Sequence, residues 1–113
     1  MGQSPIRSHR LVKVIAEVTF SPIGTGTPSL TSYVTAALSV LEEHPEIGYQ
    51  LNPMGTVLEG ERADIISVVE EMNEAVFAAG ALRVGTVLRI DERRDKATSM
   101  QHKVDAVRRG LEG

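Results

Sequence analysis

Between residues 11 and 20 the chain alternates two sets of side chains. Val12, Val14, Ala16, Val18 and Phe20 share one face, and Leu11, Lys13, Ile15, Glu17 and Thr19 share the other. An apolar face backed by a mixed one predicts a strand packed on a core, with its second side partly covered. Residues 21–28 (SPIGTGTP) are punctuated by Pro and Gly and read as a loop. Ser29 then offers an N-cap hydroxyl for a helix running to about His44, with Leu30, Val34, Ala37, Leu38 and Leu41 at the 3.6-residue period. Pro45 ends it, because a proline ring disfavours helical geometry in the residue before it. Residues 47–52 and 55–60 read as two strands meeting near Pro53-Met54. A second helix is expected over 62–79, with Ile65, Val69, Met72, Val76 and Ala79 in one stripe and Gly80 as its stop. Residues 82–91 form a fourth strand with Val84, Thr86, Leu88 and Ile90 on one face, and a last helix is expected over 98–111.

The order β-α-β-β-α-β with an added C-terminal helix predicts an α+β, ferredoxin-like plait. One antiparallel sheet of four strands would carry two helices on one face and leave the other face bare. That face still holds Ile15 and Val87, and the last helix has a narrow stripe of Met100, Val104, Val107 and Leu111. Both features predict a homo-oligomer, a dimer or tetramer, formed by pairing sheets, edges or C-terminal helices. The two β-α-β halves do not match well enough in sequence to be an internal repeat.

With 113 residues the chain fits a single domain, taken as residues 11–113 after a flexible tail at 1–10. Hydrophobic residues make up 42% and aromatics only 4%, so the core is aliphatic and base stacking has little to work with. Fifteen acidic residues against twelve basic ones give a formal charge of -3, which argues against nucleic acid as partner. There is no cysteine, hence no disulfide, thiolate metal site or Cys nucleophile. No apolar run approaches the roughly 20 residues needed to cross a bilayer, and the polar start lacks the apolar core of a signal peptide. The expectation is a soluble, cytoplasmic protein with no membrane partner.

Three Gly-Thr pairs, at 24–25, 55–56 and 85–86, recur at near-equal intervals. Glycine admits close approach of a backbone or ligand, and threonine supplies a hydroxyl that both donates and accepts. On neighbouring segments they suggest a polar pocket built on one sheet. The loop from Pro22 to Ser29 leads into a helix N-terminus suited to an anion or a polar ligand edge, although a tight turn with a cap is the plainer reading. It lacks a P-loop lysine and the three spaced glycines of a dinucleotide site. Glu59 shares a strand face with Gly55 and Val57, where a carboxylate wants a partner: a ligand, or Arg83 or Arg89 across the sheet. Arg93 and Arg94 can meet a ligand phosphate or carboxylate, or belong to a solvated, self-neutralising turn over 91–96. Tyr33 can cover a bound ring or pack over the sheet edge. His9, His44 and His102 show no metal-ligand spacing, and no nucleophile, base and orienter assemble, so neither a metal nor catalysis is expected.

The segments Ser21-Pro-Ile-Gly-Thr-Gly, Ser29-Leu-Thr-Ser-Tyr-Val34, Pro53-Met-Gly-Thr-Val-Leu-Glu-Gly60 and Arg83-Val-Gly-Thr-Val-Leu-Arg-Ile-Asp-Glu-Arg-Arg-Asp-Lys96 resemble the small thiamine-binding protein family. These are stand-alone relatives of YkoF-like thiamine/hydroxymethylpyrimidine-binding domains, formerly an uncharacterised protein family. The resemblance covers about residues 11–111. It implies a ferredoxin-like fold, sheet-to-sheet dimers that pair into tetramers, a carrier or salvage role without catalysis, and thiamine or its pyrimidine moiety as ligand rather than a cofactor. Carried onto this chain, it implies a pocket lined by Thr25, Ser29, Ser32, Tyr33, Met54, Thr56 and Glu59. The residues themselves leave two alternatives open: an oligomeric regulatory module holding another small anion or metabolite through Arg93 or Arg94, and an enzyme using Glu59 as acid or base.

Overall fold

A computed structural model describes residues 13–97 and 99–113; the expected tail at 1–10 lies outside them. Four strands and three helices follow in the order β1 (Lys13–Pro22), α1 (Thr31–Leu41), β2 (Gly48–Asn52), β3 (Gly55–Glu61), α2 (Arg62–Ala78), β4 (Val84–Glu92) and α3 (Met100–Glu112). The strands form one antiparallel sheet in the order β2-β3-β1-β4. This is the α+β, ferredoxin-like plait. No helix among the described residues is long and apolar enough to cross a membrane.

The strand parity read from the sequence sets the core. Val14, Ala16 and Val18 of β1 and Leu58 of β3 are buried on one sheet face, beneath Ile65, Val68, Val69, Met72 and Val76 of α2. Burying each of the Val, Leu, Ile and Met side chains among them contributes roughly 1.5–3 kcal/mol. Gly80, at φ +117°, ends the α2 segment as expected. β1 runs on to Pro22, where β4 alone is its partner, so the missing proline N–H breaks no ladder bond.

Two helix starts shift from their expected positions. Ser29 is not the cap of α1: Leu30 occupies that position, with no side-chain cap bond. The preceding loop holds itself instead, with Thr25 Oγ1 donating to the Thr27 carbonyl at 2.7 Å and the Ser29 N–H donating to Thr27 Oγ1 at 3.3 Å. The helix also ends at Leu41 rather than near His44, since Pro45 pushes the approaching chain out of helical geometry. α3 begins at Met100, and Ser99 Oγ accepts the His102 N–H at 3.0 Å as its cap.

The second face of the sheet carries Ile15, Val57 and a Glu17–Arg89 ion pair at 3.2 Å, with Val87 65% exposed. α3 buries none of its residues, and Val104, Val107 and Leu111 all stay exposed.

Candidate functional site

The stripe along α1 is closed at one end and open at the other. Ala37 and Leu41 are buried against the core, while Val34 and Leu30, one and two turns earlier, are exposed. Facing them across a gap stand Val18 and Phe20 near the end of β1, Leu51 at the end of β2, and Thr56 at the start of β3. Met72 of α2 closes the inner side and the Pro53-Met54 turn flanks the mouth. The result is a cleft of about 860 Å³ between α1 and the helix-facing side of the sheet. Apolar walls with a few polar groups are the usual make-up of a small-molecule site.

Thr56 is the polar residue set deepest in those walls, 6% exposed. It faces α1 because β3 alternates: Thr56, Leu58 and Gly60 are buried, while Gly55, Val57 and Glu59 turn to the other side. Gly55 permits the close packing beneath the cleft, since a methyl group there would meet Thr19 Cγ2 at 2.9 Å. Asn52, Thr19 and Ser21 border the cleft through the chain, but their side chains belong to the opposite sheet face, level with Gly55 and Gly85, and Gln50 Nε2 donates to Asn52 Oδ1 there at 3.2 Å.

The residues expected to share one pocket divide into separate places. Met54 and Thr56 line the cleft. Thr25 and Ser29 belong to the loop that leads to Leu30 at the rim, Ser32 to the first turn of α1 after it, and Tyr33 packs against the core. Glu59 does not reach the cleft. It lies on the opposite sheet face, an odd number of residues from Thr56, and its Oε1 accepts the Met100 N–H at 2.6 Å. Its partner in the structure is the N-terminus of α3 rather than a cross-strand arginine. Arg93 and Arg94 lie beyond the far end of the sheet, where Glu92 is level with Val14, roughly 20 Å along β1 from the Phe20 end. Arg93 forks onto Asp95 with contacts of 2.5 and 2.8 Å, and Arg94 contacts Glu92, which Arg62 also meets at 3.3 Å. This is the self-neutralising turn. The Arg93 hydrogen bonds hold the Asp95 carboxyl below the usual carboxylate range.

The Gly-Thr pairs converge only in part. Thr56 and Thr86 flank β1 on the same sheet face, and the Gly24-Thr25 loop leaves β1 at that end. Thr86, however, donates to Asn73 Oδ1 of α2 at 2.8 Å, and Thr25 turns back onto its own loop. Sequence reasoning missed most of the wall, including Val34, Leu38, Leu51 and Met72, because an apolar stripe reads as core whether or not anything closes over it. Among the described residues no group of three or more His, Asp or Glu is arranged to hold a metal.

A model of the thiamine-binding protein family matches residues 16–108, which include every described residue lining the cleft. The chain belongs to that family. Its relatives in the thiamine-binding family include the UPF0045 protein YqgV of Bacillus subtilis, 45% identical over 101 residues, covering 87% of this chain and 97% of the relative. A UPF0045 protein of Methanothermobacter thermautotrophicus is 42% identical over 96 residues, covering 84% of this chain and 96% of its own. The crystal structure of a UPF0045 protein from Methanocaldococcus jannaschii superposes with a TM-score of 0.77 at 36% identity, covering 84% of this chain and 95% of the other.

Proposed function

We propose that this protein binds thiamine or its hydroxymethylpyrimidine moiety in the cleft between α1 and the sheet, as a cytoplasmic carrier or salvage component without catalysis. The observation that carries the reading is the cleft itself: an open apolar stripe on α1 facing the buried Thr56, in a chain whose family is named for binding thiamine. A pyrimidine ring suits walls of Val, Leu and Met, and the Thr56 hydroxyl can donate to a ring nitrogen or accept from the exocyclic amine. The Leu30 end of α1 and Met54, which is 86% exposed, are placed to close over a ligand that has entered.

Titration calorimetry with thiamine and with hydroxymethylpyrimidine tests it. Saturable binding to at least one, weakened about tenfold by Thr56→Val, is the expected result, since the lost hydrogen bond is worth about 1.5 kcal/mol. No heat and no thermal shift with either compound overturns the reading. We infer further that the protein works as a homo-oligomer, dimer or tetramer. The bare sheet face and the unburied stripe of α3 support this, because apolar surface of that extent is ordinarily covered.

A further inference from the structure

We infer that the aminopyrimidine edge of the ligand is read by main chain, by the N–H and C=O of Phe20, where β1 overhangs the end of β3. This deepens the reading above and rests on the cleft being the ligand site. Along an antiparallel strand, successive residues send their main-chain groups to opposite edges, so one bond fixes the parity of the rest. The Ile23 N–H donates to the Arg83 carbonyl at 2.8 Å, in step with the β1–β4 register. Odd-numbered residues of β1 therefore direct their main chain at β4, and even-numbered ones at β3. Val14, Ala16 and Val18 meet Gly60, Leu58 and Thr56 of β3 in this way. That ladder stops at Val18 and Thr56, because the chain before Gly55 turns away through Pro53 and Met54 towards β2. Phe20 is the next even-numbered residue. Among the described residues, its N–H and C=O have no hydrogen-bond partner.

Those two groups border the cleft, one two-residue step or roughly 7 Å beyond Val18 and its partner Thr56. Thr19 and Ser21 line the cleft although their side chains turn to the far sheet face, so the backbone of this stretch is what faces the space. Phe20 is half-buried, and a peptide withdrawn from water without a partner costs about as much as a lost hydrogen bond, which a ligand can restore. Pro22, the following even-numbered residue, has no N–H to offer on this side. The overhang therefore presents one donor, too few to hold a further strand and enough for a small ring. An aminopyrimidine carries an amine donor beside a ring-nitrogen acceptor. The Phe20 carbonyl accepts from the amine and the Phe20 N–H donates to the nitrogen, as a neighbouring strand would. The second ring nitrogen is left for Thr56, while Leu30 and Val34 cover the ring from the α1 side. Mostly apolar walls are thus compatible with a specific site, because the discriminating groups belong to the backbone. Any compound that keeps this edge binds, thiamine included.

The test compares thiamine, hydroxymethylpyrimidine and oxythiamine on the full chain by calorimetry at neutral pH. In oxythiamine an oxo group beside a ring N–H replaces the amine and ring nitrogen, which reverses donor and acceptor and keeps the shape. It is expected to bind about tenfold or more weaker than thiamine, since like groups then face each other. Amide hydrogen exchange read by nuclear magnetic resonance gives the local answer. With saturating thiamine, exchange of the Phe20 amide is expected to slow about tenfold more than that of the Thr19 amide, which bonds to β4 with or without ligand. Three results overturn the main-chain reading and leave the cleft in place: oxythiamine binding as tightly as thiamine, hydroxymethylpyrimidine binding while thiamine does not, or thiamine bound with Phe20 slowed no more than Thr19. Absence of binding by both thiamine and hydroxymethylpyrimidine removes the cleft as the site and this reading with it.

Discussion

At Gly55 an added methyl group would come within 2.9 Å of Thr19 Cγ2 and 3.4 Å of the Val18 carbonyl, whereas at Gly85 the nearest atoms lie 4.0 Å away. The two glycines precede threonines on the same sheet, yet only the first is required by packing. Gly55→Ala is expected to destabilise the fold by about 1–2 kcal/mol, because Thr19 is β-branched and cannot swing clear without disturbing β1. Gly85→Ala is expected to stay within about 0.5 kcal/mol of wild type. Urea melts of the two variants check the contrast. Glu59 invites a second test at this scale. Its carboxylate meets the first N–H of α3, a position favoured by the helix dipole. Glu59→Ala is expected to cost about 1 kcal/mol and to fray α3, seen as faster amide exchange over residues 100–104, while pyrimidine affinity stays unchanged. A large loss of affinity with α3 intact would return Glu59 to the ligand site.

Among the elements, α1 is tied to α2 through the loop that follows it. His44 sits between two carboxylates, with Nδ1 3.1 Å from Glu46 Oε2 and Nε2 3.1 Å from Glu71 Oε2. Hydrogen bonds that the imidazolium donates to the Glu46 and Glu71 carboxylates raise the His44 pKa above its ordinary value of 6.5. A raised folded-state pKa means that the clamp's contribution is fully present below 6.5 and is lost as pH rises through the higher folded value. Glu46, Asp91 and Asp95 behave oppositely. Their pKa values are lowered, so their contribution holds above the ordinary carboxylate range and disappears as pH falls through the folded values. A proton-resonance titration of His44 is expected to give a midpoint above 6.5 that moves down in Glu71→Gln; an unmoved midpoint would show that the contact is not made in solution. The elements are also where the sequence was most legible. Parity in β1 named Val14, Ala16 and Val18 as core, and the α2 stripe was correct in Ile65, Val69, Met72 and Val76. Periodicity on α1 marked Leu30, Val34, Ala37, Leu38 and Leu41 equally, although only Ala37 and Leu41 are buried. A stripe says which way a helix faces, and tertiary geometry decides whether the space in front is filled. The placement of Glu59 beside Thr56 failed for a reason the sequence did contain: three residues along a strand reverse the face. Its actual partner, the α3 N-terminus some forty residues on, leaves no periodic signal.

At the scale of the molecule, the second face of the sheet, with Val87, and the Val104, Val107 and Leu111 stripe of α3 stay exposed. If they pack between subunits, Val107→Asp with Leu111→Asp is expected to lower the mass measured by light scattering at micromolar concentration, with the circular dichroism of the sheet retained. A monomer mass for the unsubstituted protein would contradict assembly outright. The cleft lies on the other side of the sheet, walled by α1, so subunit pairing through these surfaces and ligand binding are separable. The direct measurement of the central claim is therefore a residue-resolved one. In a nuclear magnetic resonance titration with hydroxymethylpyrimidine, the largest shift changes are predicted at Val34, Leu51, Thr56 and Met72, with Glu59, Arg93 and Arg94 little affected. Shift changes centred on Glu59 or the 91–96 turn, with the cleft silent, would contradict it.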